Sequence, residues 1–332
     1  MNTFGKLFRV SIFGESHGKG VGVLLDGVPA GLSLTADDFK DDLARRRPGA
    51  KGTTPRREAD IGMMKNGVFR DTTTGAPLLI QFENNDQDSS AYDNIRLNPR
   101  PGHADFTAYH KFGGYHDYRG SGHFSGRITL GIVAAGVIAK KLLKDMTITA
   151  TLIEAGGSDR IDENIEQCLQ EEDSIGAIIE CCVNGLPIGL GEPFFDTADA
   201  LLGHIMFAIP GIRGLEFGAG FQSARMKGSE CNDPFIDVDG TTSSNHSGGM
   251  NGGITNGNEV IFRVAVKPTS SIGKEQQTIN LETGERTSLV VAGRHDACFA
   301  LRLPVVIEAA AAIVFVDLMM LEQRIPRVLQ VN

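Results

Sequence analysis

Five short runs along the chain are apolar or alternate apolar with polar residues: FRVSIF at 8–13, GVGVLLDGV at 20–28, APLLIQFEN at 76–84, IGAIIECCVNG at 175–185 and NEVIFRVAVKP at 258–268. They are rich in β-branched and aromatic side chains and bounded by Gly, Pro or Asn, which predicts β-strands. Between them the apolar spacing shifts to the helical period, predicting helices over residues 35–46, 126–143, 196–208 and 304–321. Two of these, GRITLGIVAAGVIAKKLL and LPVVIEAAAAIVFVDLMM, are apolar nearly all round. A helix without a polar face must be covered on both sides, so both are expected between sheets. The second contains Glu308 and Asp317, which marks a buried helix rather than a membrane span. No Pro/Ser linker, solenoid repeat or low-complexity tract interrupts the pattern, which predicts one domain over residues 1–332.

Composition narrows the function classes. The formal charge is -9, from 41 acidic against 32 basic side chains, which argues against non-specific nucleic-acid binding. An anionic ligand would need local positive clusters. The N-terminus, MNTFGKLFRV, lacks the apolar core and small-residue cleavage site of a secretory signal. Five cysteines, odd in number and without C-x-x-C spacing, point to a reduced, cytoplasmic protein with no cysteine zinc site. The 41 glycines concentrate in stretches such as GGYHDYRGSG and SGGMNGGITNG, which predicts ordered loops that approach a ligand closely.

Five stretches carry candidate chemistry. FGESHG at 13–18 fits G-x-S-x-G, the nucleophile elbow of serine hydrolases, with Ser16 in the nucleophile position. An elbow leads from a strand into a helix, whereas the residues after His17 read as a second strand; a polar hairpin loop is the competing reading. LARRRPGAKGTTPRR, residues 43–57, gathers Arg45, Arg46, Arg47, Lys51, Arg56 and Arg57 without one acid, and reads either as an anion trap or as a solvated basic loop. RPGHADFTAYHKFGGYHDYRGSGHFSGR, residues 100–127, holds four of the eight histidines with Arg100, Arg119 and Arg127. Its His/Asp spacings lack a metal-site framework, and its glycines precede a helix start able to take phosphate. KPTSSIG at 267–273 is a hydroxyl-rich turn with one lysine, and GRHDACF at 293–299 sets Arg294, His295 and Asp296 ahead of a buried helix, where Asp296 either caps or catalyses.

Together FGESHG, DGVPAG, RRRPG, TTPRRE, RPGHAD, YRGSGHFSGR, DSIGA, GLGEPFFD, SNHSGG, KPTSSI and GRHDAC stand in one order along nearly the whole chain, and in that order the sequence resembles the chorismate synthase family. The resemblance implies an α+β fold, a single-domain β-α-β sandwich with buried central helices, assembled as a homotetramer. It implies anti-1,4-elimination of phosphate and the C6 proton from 5-enolpyruvylshikimate 3-phosphate to give chorismate, with reduced FMN required although the reaction is redox-neutral. His17 is implied as proton donor to the reduced flavin, His103 as the acid that protonates departing phosphate, and Asp296 as the group that helps the flavin accept the C6 proton.

The same resemblance implies flavin contacts from Ser125, Pro210, Gly211, Gly252, Lys267, Pro268, Thr269, Ser270, Ser271 and Arg294, and NADPH contacts near Arg46 and Lys51. Arg47, Arg57, Arg119 and Arg127 would face the substrate, with Ser16 as a hydrogen-bonding neighbour. Flavin reduction would come from NADPH on the enzyme itself or from an external flavin reductase. Many family members read GGGR where this chain has Gly120-Ser121-Gly122-His123, and a proline where it has Ala297. The first departure motivates an alternative, a catalytically impaired FMN- and polyanion-binding protein of the same fold.

Overall fold

A computed structural model describes residues 2–49, 51–53, 59–85, 92–291 and 295–329. The first sheet contains β1 (Thr3–Phe4), β2 (Arg9–Gly14), β3 (Gly20–Asp26), β4 (Met63–Met64) and, after the small hairpin β5 (Val68–Phe69) and β6 (Thr72–Thr73), β7 (Leu78–Glu83). Its strands are all antiparallel in the order β1-β2-β3-β7-β4. The second sheet contains β8 (Thr147–Ala155), β9 (Ala177–Asn184), β10 (Ile212–Phe217) and, beyond the hairpin β11 (Met250–Asn251) and β12 (Ile254–Thr255), β13 (Val260–Val266). Here the antiparallel order is β10-β13-β9-β8. A further hairpin joins β14 (Gln276–Ile279) to β15 (Arg286–Leu289).

The helices are α1 (Lys40–Arg46), α2 (Asp93–Leu97), α3 (Asp105–Lys111), α4 (Thr129–Leu142), α5 (Ile161–Gln170), α6 (Ala198–Met206), α7 (Gly228–Cys231) and α8 (Pro304–Leu321). Helices α4 and α8 form the central layer: α4 packs on β2 and β3, α8 packs on β8 and β9, and the two pack on each other. Period-two alternation supplies the facing surfaces. Val21, Val23 and Leu25 on β3, and Leu78, Ile80 and Phe82 on β7, are buried on one face. Ile179, Cys181 and Val183 on β9, with Phe262 and Val264 on β13, do the same in the second sheet. These residues and both helices belong to one continuous hydrophobic cluster. The result is a β-α-β sandwich of the α+β class.

The two helices approach closely because small residues meet: a Cβ on Gly136 of α4 would lie 2.2 Å from the Cβ of Ala309 on α8. The two acids of α8 are both used inside the fold. Asp317 accepts the backbone N–H groups of Lys6, Leu7 and Phe8 at 2.8, 2.7 and 2.7 Å, pinning the segment that leads into β2. Glu308 accepts from Arg45 at 2.7 and 2.6 Å and from Lys140 at 2.8 Å, so a buried charge is paired rather than isolated. Although α8 is long and apolar enough to cross a membrane, 83% of it is buried inside the protein.

The predicted strands and helices all form, with two shifts at helix starts. Residues 36–39 and 126–128 are single 3-10 turns ahead of α1 and α4. Among strands and α-helices of six or more residues, four lie outside the sequence expectations: β8, β10, α3 and α5.

Candidate active site

Both central helices begin at one cavity of about 340 Å³. Its wall takes Ser125, Gly126, Arg127 and Thr129 from the start of α4, Phe299, Arg302, Leu303 and Val306 around the start of α8, and residues 267–271 from the end of β13. Helix N-termini carry partial positive charge, so two of them aimed at one space favour an anion. Among the described residues the lining holds five cations, Arg46, Arg100, Arg127, Lys267 and Arg302, against two carboxylates, Asp60 and Asp296. In a chain of net charge -9 this is a local reversal of sign. An apolar chamber of about 720 Å³ adjoins it and shares the walls His103, Phe124, Pro210, Gly211 and Lys267.

FGESHG is the loop between β2 and β3, and no helix follows it, so the nucleophile-elbow geometry is absent. Ser16 is buried, and its N–H donates to Gly122 O at 3.1 Å. Asn84 holds the loop from below, donating to Glu15 O and Gly18 O at 2.9 Å each. The His17 ring lies behind Gly120: a Cβ there would come within 2.2 Å of His17 Cδ2, and Gly120 has φ +56. Tyr92 presents its ring edge-on to His17 at a centroid distance of 5.3 Å. Ser16, Tyr92 and Gly120 line the cavity, while His17 stands directly behind them.

The opposite wall is charged. Arg100 donates to Asp105 through Nε at 2.7 Å and Nη2 at 2.8 Å, and to Ser271 and Ser121 at 3.0 Å each. His103 Nδ1 lies 2.6 Å from Asp105 Oδ1. Burial pushes the His103 imidazole below its ordinary range, with Arg100 and Lys267 adding to the effect against the pull of Asp105. Burial alone would raise the Asp105 carboxyl, but hydrogen bonds from Arg100 and His103 prevail and hold it well below the carboxylate range. Lys267 is lowered by burial and by Arg213 and Arg100, and donates to Gly102 O and Ser270 Oγ at 2.6 Å each.

Asp60 stands between the other two guanidinium groups, 3.0 Å from Arg127 Nη1 and 3.5 Å from Arg46 Nη1. Arg127 is also held by Asn84 Oδ1 and by Glu83 O, so the Asn84 amide joins the FGESHG loop to this cation. Arg46 donates to Thr129 Oγ1 at 3.0 Å and Gly126 O at 2.9 Å. Asp296 lies 3.5 Å from Arg302, whose Nε donates to Arg46 O at 3.0 Å.

The cavity thus gathers Ser16, Arg46, His103, Ser125, Arg127, Pro210, Gly211, Lys267, Pro268, Thr269, Ser270, Ser271 and Asp296 from the residues singled out in the sequence. Five others stand outside its lining: His17, behind Gly120, and four more. Arg47 turns to Ala59 O, exposed Lys51 pairs with Glu166, Arg119 is forked onto Asp117 at 2.8 Å through each of two nitrogens, and Gly252 sits in the β11–β12 turn. Arg57 and Arg294 lie outside the described residues.

His123 also departs from the cation expected at its position. It does not line the cationic cavity; its Nδ1 donates to Gly14 O at 3.0 Å and its Nε2 is 3.2 Å from Asn2 Oδ1, so it ties the N-terminus to the FGESHG loop. Asp60, Asn84, Tyr92, Arg302 and the organising role of Arg100 escaped the sequence reading. Only Arg100, inside RPGHAD, carried a signal. The residues suit a flavin: Thr269 Oγ1 is buried in the cavity wall without a hydrogen-bond partner, beside Lys267 and two serines, and the apolar chamber next to it has room for a flat ring.

The family model described as chorismate synthase matches residues 8–320. The chorismate synthase of Chitinophaga pinensis is 59% identical over 329 residues, covering 99% of this chain and 99% of its own. Those of Dehalococcoides mccartyi and Methanosarcina barkeri are each 45% identical, covering 99% and 96% of both chains respectively. A solved structure titled "Crystal Structure of Chorismate Synthase" superposes with a TM-score of 0.73 at 24% identity, covering 96% of this chain and 93% of that one, a likeness of fold.

Proposed function

This chain belongs to the chorismate synthase family, and from that premise we propose how its residues divide the work of a lyase that converts 5-enolpyruvylshikimate 3-phosphate to chorismate. The family requires a reduced flavin; we take it to be FMN, which when bound supplies transient electron density to a substrate whose C6–H bond is barely acidic. Ser125, Pro210, Gly211, Lys267, Pro268, Thr269, Ser270 and Ser271 would hold it, with Arg294 completing the set.

The protein's own groups bind, orient and protonate. Arg46 and Arg127, fixed by Asp60, offer guanidinium groups to the substrate's phosphate and carboxylates, and the starts of α4 and α8 add their positive ends. His103 donates a proton to the departing phosphate, His17 holds a proton behind Gly120, and Asp296, in the cavity lining, assists removal of the C6 proton. The single observation that carries this reading is the cavity itself: five cations, two imidazoles and two aspartates converge on one space from segments up to 256 residues apart, Arg46 to Arg302.

The test is anaerobic release of phosphate from the substrate with chemically reduced FMN. Release at enzymatic rates is expected; binding of oxidised FMN without release would favour the impaired flavoprotein instead. His17→Ala should lower turnover by roughly two to four decades, the usual worth of a positioned acid or base, and unchanged turnover would remove His17 from the scheme. NADPH contacts at Arg46 and Lys51, or service by an external reductase, are separated by whether protein, FMN and NADPH alone oxidise the nicotinamide. A homotetramer, one folding unit and a cytoplasmic setting, in keeping with five free cysteines, complete the proposal.

A further inference from the structure

The wall that carries His103 contains more than a proton donor. Asp105 is fixed as a carboxylate by Arg100, through Nε to Oδ2 at 2.7 Å, Nη2 to Oδ1 at 2.8 Å and the Arg100 backbone N–H to Oδ2 at 3.1 Å. A carboxylate only accepts hydrogen bonds. The ring nitrogen 2.6 Å from its Oδ1, Nδ1 of His103, must therefore carry a hydrogen. Arg100 Nη2 also lies 3.1 Å from Nδ1 and 3.4 Å from Nε2, but its two hydrogens are committed to Asp105 Oδ1 and to Ser121 Oγ at 3.0 Å. In a neutral imidazole with Nδ1 protonated, Nε2 is a bare lone pair.

We propose that Asp105, gripped by Arg100, is a positioning residue that locks His103 in the Nδ1–H tautomer, so that Nε2 is the nitrogen that takes up a proton as a phosphorylated ligand arrives and returns it to the departing phosphate. This rests on reading His103 as the phosphate's acid. The proton comes from water onto the Nε2 lone pair. It then passes to a phosphate oxygen as the carbon–oxygen bond breaks and its electron pair leaves with the phosphate.

The charged groups facing the ring are Arg100 and Asp105 from its own segment and Lys267 from the end of β13. In the ligand-free site burial and the two cations keep the ring neutral against Asp105. A dianion beside Lys267 and Arg100 offsets both cations and favours the imidazolium. Binding of an anion should then be coupled to proton uptake at this one ring.

The experiment is long-range ¹H–¹⁵N correlation on the full chain with ¹⁵N-labelled histidine at pH 7.5, with the His103 signals identified by their loss in His103→Gln. The Nδ1–H pattern is expected; an Nε2–H pattern or an imidazolium in the ligand-free protein overturns the proposal. In Asp105→Asn the amide oxygen is drawn to the two Arg100 donors at the Oδ2 position, leaving the NH₂ facing Nδ1, so the tautomer should reverse and turnover fall at least a hundredfold. Retention of the Nδ1–H form with full turnover would count against it. Should that variant not fold, calorimetry of sulfate binding to the unaltered protein in two buffers of different ionisation enthalpy decides. Sulfate does not itself titrate, so uptake approaching one proton per sulfate supports the proposal and binding without uptake sinks it. Failure of the underlying reading looks different: His103→Gln would keep full turnover while the unaltered protein still showed the Nδ1–H tautomer.

Discussion

His103 lines the cavity while His17 stands directly behind its wall, and the two rings are packed differently. His17 is confined by shape: Gly120 leaves the space its ring fills, Tyr92 presents an edge, and Asn84 braces the loop from its far side. His103 is confined by charge, in a lattice that runs from Ser271 and Ser121 through Arg100 and Asp105 to its Nδ1. A ring packed against a glycine tolerates no added volume there. A ring held by charge has its tautomer and its proton affinity set by neighbours, and is sensitive to any loss of a partner. Neighbours that set a ring's proton affinity suit the change of protonation proposed for His103 when an anion enters.

Breaking the charge-held wall should have the largest effect. Arg100→Met leaves the Asp105 carboxylate without its guanidinium partner in a site where Arg100 is 5% exposed and Asp105 11%. Removing one partner of a buried pair costs about 3–5 kcal/mol. Urea unfolding should report a loss of that size, with phosphate release below detection. A loss under about 1 kcal/mol, the range of a surface pair, would mean that the lattice does not organise this wall. The shape-held wall should yield to a single methyl group. Gly120→Ala forces a non-glycine residue into φ +56 and drives a Cβ into the His17 ring. The backbone term alone is about 1–3 kcal/mol, and the displaced ring should lower turnover at least tenfold while substrate affinity, set by the arginines, changes less. If Gly120→Ala kept full turnover, shape would not be what holds His17.

The contrast also explains what was legible in the sequence. Elements whose pattern is strong by itself were readable: the alternation in β3, β7, β9 and β13, and the all-apolar α4 and α8. Strand β8, TITATLIEA, was missed although it alternates, because its apolar positions share the strand with threonines and stay partly exposed at the edge of the second sheet. Helix α3 begins at Asp105, inside a stretch dominated by Gly and His, and its start is masked by the residues that make the site. Within the site, individual motifs announced cations, hydroxyls and histidines. Which of them meet was not readable, since Arg100 finds Ser271 171 residues away and Arg302 finds the Arg46 carbonyl 256 residues away. Asp60 has no local signature at all; only the fold brings Arg46 and Arg127 to it. Nor was it readable that Lys51, Arg47 and Arg119 take partners outside the cavity lining, Glu166, the Ala59 carbonyl and Asp117.

Acid should sharpen the comparison, because the charge-held wall contains groups whose proton affinity folding has lowered. His103 resists its proton in the folded state mainly through burial, whereas the unfolded ring accepts one near pH 6.5. Its contribution to stability is therefore fully present above about pH 6.5 and is lost as pH falls through the lower folded value. Asp105 is also depressed, against burial, by Arg100 and His103, so its contribution is present above about pH 4 and lost below it. Urea midpoints should fall first between neutral and mildly acidic pH and again in stronger acid. His103→Gln should remove the first fall and leave the second. A first fall that survives in His103→Gln would locate the titrating group elsewhere.

The smallest effect is expected at Lys51, outside the cavity lining. Lys51 is 72% exposed and pairs with Glu166 on the surface of α5, a contact that solvent and salt screen. Lys51→Ala should leave both the unfolding midpoint and phosphate release with chemically reduced FMN unchanged, and any change should appear only when NADPH is the reductant. That pattern would assign Lys51 to cofactor reduction and leave elimination to the residues gathered in the cavity. A tenfold fall in phosphate release with reduced FMN would instead mean that the segment carrying Lys51 swings over the cavity when ligands bind, and that charge confines the substrate from the rim as well as from the wall around His103.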